Sequence, residues 1–80
     1  MLSLQVEINT IEKVRDFAIL NNMSSCTVDV LHGRYVVDGK SLLGLFSIPL
    51  THPLTVKLEG SSEDCSTLVK EYKEKGLCIT

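Results

Sequence analysis

Lys40-Ser41-Leu42-Leu43-Gly44-Leu45-Phe46-Ser47-Ile48 joins a serine at a helix start to a run too apolar for an ordinary surface loop. A serine ahead of an apolar-periodic run is an N-cap signal, because its hydroxyl can accept from a first-turn amide that has no intrahelical acceptor. Leu42, Leu45 and Phe46 fall at i, i+3 and i+4, while Leu43 and Ile48 point elsewhere. The predicted short helix is therefore apolar nearly all round. One face suits a core and the other suits a docking surface.

Upstream of this helix, Val28 and Val30 alternate with Asp29, and Tyr35-Val36-Val37 follows His32-Gly33-Arg34. That pattern predicts a hairpin with Gly33 at a positive-φ position. Earlier still, Leu2, Leu4, Val6 and Ile8 alternate with polar residues, which predicts a strand ending near Asn9. Asn9 or Thr10 then caps a helix with Ile11, Val14, Phe17 and Ala18 as its apolar positions and Glu12 in its first turn, where the macrodipole favours negative charge. The polar stretch Asn21 to Ser25 reads as the turn that closes it. Downstream, Pro49 to Pro53 reads as a loop, and Leu54, Val56 and Leu58 as a fourth alternating strand. Gly60-Ser61-Ser62-Glu63-Asp64 opens a last helix with a buried stripe of Cys65, Leu68, Val69 and Tyr72; Lys70, Lys73 and Lys75 crowd its end, and Gly76 stops it.

The order is strand, helix, strand, strand, helix, strand, helix. Helices on one face of a four-stranded, mainly antiparallel sheet make an α+β open-faced β-sandwich (βαββαβα) with three helices, and residues 1–80 read as a single domain. Periodicity does not dictate the order of strands within the sheet.

A net charge of −2 with signs intermixed offers no basic stripe for nucleic acid. No apolar run approaches the roughly 18 residues a membrane span needs, and the N-terminal alternation reads as a strand rather than a signal peptide. A cytoplasmic address is the expectation. Cys26, Cys65 and Cys78 are odd in number and lack CxxC spacing, so neither a disulfide framework nor a zinc site is suggested, and they read as small, mostly buried hydrophobes. Cys78, nearest the terminus, is expected to be the most exposed and oxidisable. His32 at the hairpin turn and His52 in the proline loop have no partner at metal-ligand spacing, so both read as loop residues and no metal is expected. No nucleophile–base pair, metal cluster or phosphate-cradling glycine loop stands out, so neither an enzyme, a cofactor nor a small-molecule substrate is expected.

Over nearly its whole length the chain resembles the HPr family of phosphocarrier proteins of the bacterial sugar phosphotransferase system. The most specific part is Lys40-Ser41-Leu42-Leu43-Gly44-Leu45-Phe46-Ser47, which looks like the family's regulatory-serine motif. The preceding hairpin and Leu58-Glu59-Gly60 followed by Glu63-Asp64 add support. Asp38 and Gly39, ahead of the motif, are not the usual family residues. The resemblance implies the open-faced HPr-like sandwich already read from the pattern.

The family's carrier chemistry uses a histidine at the start of the first helix, in a His-Ala-Arg-Pro-type motif. Counting back from Ser41 without gaps puts Thr10 at the histidine position and Glu12 at the arginine position, and no histidine lies between Met1 and Leu31. A threonine would form a phosphate ester, a poor donor, and Glu12 would repel incoming phosphate. Histidine phosphocarrier activity is therefore not expected. Ser41 keeps its setting. In the family this serine is the target of an ATP-dependent HPr kinase, and the phosphorylated form binds a transcriptional regulator of carbon catabolite control. Phosphoserine would place nearly two negative charges beside Leu42, Leu43 and Phe46, which match the family's exposed docking patch, whereas Leu45 and Ile48 match buried positions. Lys40 belongs to the same partner-facing segment.

A chain with this serine and without the histidine looks like the paralogue class called Crh, which regulates without passing phosphate to sugars. The expectation is a non-enzymatic, protein-binding regulatory module whose partners are HPr kinase, a catabolite-control regulator or phosphotransferase-system components. Two alternatives stand beside it: a carrier using an unconventional acceptor such as His32, and a scaffold retaining only the fold.

Overall fold

Seven elements follow one another along the chain in a computed structural model that describes residues 2–78. Strand β1 (Leu2–Val6) turns Leu4 and Val6 inward and leaves Ser3 and Gln5 outside. It stops at Val6 rather than near Asn9. Val6 lies opposite Leu54, and the next residue on that partner strand is Pro53, which has no amide to extend the ladder. Beyond it the Glu7 amide donates to the Leu77 carbonyl at 2.8 Å instead, and Ile8 remains in the core.

Helix α1 (Ile11–Met23) is capped by Thr10, whose Oγ1 accepts from the Lys13 amide at 3.1 Å. Two expectations fail here. Ile11 is 66% exposed and takes no part in the core, which Val14, Phe17, Ala18 and Leu20 supply. The Asn21–Ser25 stretch is not all turn either, for the helix continues to Met23 and ends on Ser24. Asn21 can stay helical because both ends of its buried amide find partners in the fold, described below.

β2 (Thr27–His32) and β3 (Tyr35–Asp38) form the hairpin, with Gly33 at φ +60° in its turn. Next come α2 (Leu42–Phe46), β4 (Leu54–Glu59) and α3 (Ser62–Glu74). Ser61 caps α3 by accepting from the Asp64 amide at 3.1 Å, and Glu63 and Asp64 occupy the first turn. At the other end Gly76, at φ +70°, donates to the Lys73 carbonyl and Leu77 to that of Tyr72, a Schellman closure that turns the chain back onto β1 and buries Leu77.

The sheet runs β1-β4-β2-β3, with every neighbouring pair antiparallel. β4 is the last strand in sequence but lies between β1 and β2, which is why Leu54, Val56 and Leu58 are all buried. These residues pack with Val6, Val28, Val30, Leu45, Leu68 and the Phe17–Tyr72 ring pair, whose centroids are 5.2 Å apart. The expected α3 stripe holds at Cys65, Leu68 and Tyr72, with Val69 only partly covered. Cys26 and Cys65 are buried with Sγ atoms 3.7 Å apart. Burial, and then the hydrogen bond with Cys26, push the Cys65 thiol up from its ordinary value. Cys78 is half-buried and bridges Val6. Among the described residues no helix is long and apolar enough to cross a membrane.

Candidate functional site

The segment leading into α2 is held by three separate elements. The Gly39 amide donates to the Val28 carbonyl of β2 at 2.8 Å, and the Lys40 amide donates to Asp38 Oδ1 at 2.9 Å. From α1, Asn21 Nδ2 donates to the Gly39 carbonyl at 2.7 Å, and Asn22 Nδ2 donates to the Lys40 carbonyl at 2.9 Å. Asn21 Oδ1 in turn accepts from the Tyr72 hydroxyl of α3. Asn21 and Tyr72 are fully buried, so one side chain links α1, α3 and the entry to α2 inside the core. Burial is also the first cause that raises the Tyr72 hydroxyl above its ordinary pKa.

Gly39 is needed for this close approach. A Cβ there would lie 2.4 Å from Val28 Cγ1 and 3.1 Å from Asn21 Nδ2. The backbone at this position is not left-handed, so the requirement is space rather than dihedral freedom.

With Asp38 to Lys40 anchored, Ser41 sits in extended backbone as the N-cap of α2, and its Oγ accepts from the Gly44 amide at 3.1 Å. Ser41 as a whole is half-buried. Gly44 packs close against it, since an added Cβ would come within 3.2 Å of Ser41 Oγ and 3.0 Å of Val37 Cγ1. Lys40 reaches back to donate from Nζ to the Ser24 carbonyl at the end of α1, at 3.1 Å, where the helix dipole favours a cation.

The faces of α2 divide as the family resemblance implies rather than as the i, i+3, i+4 spacing of Leu42, Leu45 and Phe46 would group them. Leu45 is fully buried and Ile48 packs against the core, while Leu42, Leu43 and Phe46 are 40, 85 and 44% exposed. Sequence reasoning missed that this apolar surface continues onto α1. A cleft of about 440 Å³ between the two helices is lined by Arg15, Ala18, Ile19, Met23, Lys40 and Leu42, among others, with Ile19 and Met23 both exposed. A signal was available: Ile11, Arg15, Ile19 and Met23 repeat at i+4, a second stripe on α1 distinct from the one in the core. Asn21 and Asn22 were missed for a different reason, because paired asparagines read locally as a turn.

Thr10 caps the far end of α1 from the Asn21–Asn22 contacts. It is exposed, and Glu12, Arg15 and Asp16 line a polar hollow on the following turns. The structure does unite His32 and His52, which the sequence kept apart. Their ring centroids lie 6.1 Å from each other at the same end of the sheet.

No family model matches the sequence, and no curated protein matches it either. Solved structures do. HPr-C-His from Thermoanaerobacter tengcongensis superposes with a TM-score of 0.74 at 20% identity, covering 94% of both chains. The histidine-containing phosphocarrier protein of Mycoplasma superposes with a TM-score of 0.71 at 10% identity, covering 99% of this chain and all of that one. The fold is therefore that of the HPr phosphocarrier proteins, an α+β open-faced sandwich.

Proposed function

We propose that this chain is an HPr-like protein-binding module of the sugar phosphotransferase system that regulates by association and does not carry phosphate on histidine. One observation carries the reading. In an HPr fold, an exposed apolar cluster of Leu42, Leu43 and Phe46 surrounds a serine N-cap, while a threonine caps the helix where the carrier histidine is expected. A continuous apolar surface rimmed by the cations Arg15 and Lys40 suits docking of another protein. A cytoplasmic setting, with HPr kinase, a catabolite-control regulator or other phosphotransferase-system proteins as partners, fits this reading.

Ser41 is its control point. Transfer of the ATP γ-phosphoryl group to Oγ, with loss of the hydroxyl proton, would replace a half-buried cap by a dianionic ester beside the apolar cluster. The Gly44 amide that now donates to Oγ would remain available as a donor to phosphate oxygens. Leu42 and Leu43 would then lie next to a charge, which selects between partners.

The test is two parallel incubations, one with ATP and HPr kinase and one with phosphoenolpyruvate and the general phosphotransferase enzyme, each followed by mass spectrometry. The expected result is acid-stable phosphate on Ser41 in the first and no acid-labile phosphate in the second. Acid-labile phosphate on His32 or His52 would establish the carrier reading instead, and no phosphate in either would leave only a scaffold.

A further inference from the structure

We infer that His32 and His52 together form a binding site for a borderline divalent transition-metal ion of the Cu²⁺, Ni²⁺ and Zn²⁺ class, with water completing the coordination.

The pairing follows from the sheet. β2 and β4 are antiparallel, with Leu31 opposite Thr55 at the last registered pair. His32 is the last residue of β2, where it still pairs with Tyr35 of β3, and His52 lies in a bend of the chain two residues ahead of β4, so both stand at the same end of the sheet. The result is two imidazoles 6.1 Å apart between centroids and tilted by 38°.

That separation suits ligation. A metal–nitrogen bond of about 2.0–2.1 Å places two rings that share one ion about 5–6 Å apart between centroids. A small rotation of either ring brings the pair within reach. Thr51 Oγ1 lies 3.4 Å from His52 Nδ1, so a proton on Nδ1 can be held toward Thr51 while Nε2 offers its lone pair. His32 is half-buried and His52 exposed, which leaves the site open to solvent and its ions.

The ligand set also decides which ions enter. No third histidine, cysteine or carboxylate joins the pair among the described residues. Imidazole donors select copper, nickel and zinc, while magnesium and calcium require several oxygens that are lacking here. A bound ion would tie the β2–β3 turn to the segment between α2 and β4.

The experiment uses the full chain. Ni²⁺ binding is followed by calorimetry, and substoichiometric Cu²⁺ serves as a paramagnetic probe of the amide resonances. One equivalent of Ni²⁺ should bind, Cu²⁺ should broaden His32 and His52 together before any other region, and Mg²⁺ should change nothing. Neither His32→Gln nor His52→Gln should alter the metal-free unfolding temperature, and each should weaken Ni²⁺ at least about tenfold, the least that loss of even an outer-shell partner is known to do. Ni²⁺ should raise the unfolding temperature of the parent chain more than that of either variant. Unchanged affinity in either variant, or broadening centred on the chain terminus or the cysteines, overturns the assignment.

Discussion

Replacing Asn21 by alanine should be among the most damaging single changes available in this chain, though the residue is polar and lies near a helix end. The substitution removes the donor to the Gly39 carbonyl and the acceptor of the Tyr72 hydroxyl, and both groups stay buried. Each orphaned group costs about 1–3 kcal/mol, so the pair comes to about 2–6 kcal/mol. A chain of 80 residues has about 4–12 kcal/mol in all. At about 4–8 °C per kcal/mol, the unfolding midpoint should fall by at least about 8 °C. Urea titration supplies the free energy, and a double-mutant cycle with Tyr72→Phe supplies the coupling, expected at about 0.5–3 kcal/mol for groups in direct contact. Hydrogen exchange supplies the functional consequence. The Gly44 amide, which donates to Ser41 Oγ, should exchange faster in Asn21→Ala because the segment that positions the cap has lost its tether. A loss below about 1 kcal/mol, or strict additivity with Tyr72→Phe, would refute the argument that this amide joins α1, α3 and the α2 cap.

Three further outcomes follow from the same contacts. Gly39→Ala places a methyl 2.4 Å from Val28 Cγ1 and should destabilise by about 1–3 kcal/mol in urea, with Val28→Ala recovering part of the loss. Tyr72 is raised by burial first and then by neighbouring Cys26, Cys78 and Glu71, so the fold favours its neutral form. Its contribution is complete below the ordinary tyrosine pKa of about 10 and is lost as pH rises above it, at about 1.4 kcal/mol per pH unit; Tyr72→Phe should show a shallower decline in unfolding free energy over that window. Leu43→Ser, at a side chain 85% exposed, should leave stability within about 0.5 kcal/mol while weakening any partner that docks on α2, a split read by urea titration beside a binding assay.

The elements were legible because each rests on a local signal that the fold does not override. Ser41 caps α2 as its place ahead of the apolar run predicts, a serine of the Ser61-Ser62 pair caps α3, and Gly33 and Gly76 take the positive φ that their positions in a turn and at a helix end require. The division of α2 into a buried Leu45 and an exposed Leu42, Leu43 and Phe46 was not legible from helical period, which groups Leu42, Leu45 and Phe46 on one side; it came from the family resemblance. What escaped was nonlocal. Asn21 and Asn22 look like a turn until Gly39, Lys40 and Tyr72 are brought against them from far along the chain. Ile11 looks like core by spacing, yet the core-facing arc of α1 starts at Val14. His32 and His52 look isolated until β4 inserts beside β2, a step that depends on strand order.

The same distinction separates the two ends of α1. The contacts that place Ser41 come from Asn21, Asn22, Val28 and Asp38, and none of them touches Thr10 at the start of α1. Thr10 does for α1 the one thing the fold asks of that position, accepting from the Lys13 amide, and a capping side chain of any chemistry would do as much. The two ends of α1 are thus separately specified. Substitution of the cap at the first should not loosen the second, where the short helix, its serine cap and its exposed leucines depend on the buried Asn21 amide of α1 and the Tyr72 hydroxyl of α3. Selection for partner docking would therefore act on Asn21, Gly39 and Tyr72 as strongly as on Leu42 and Leu43, though only the latter pair would touch the partner.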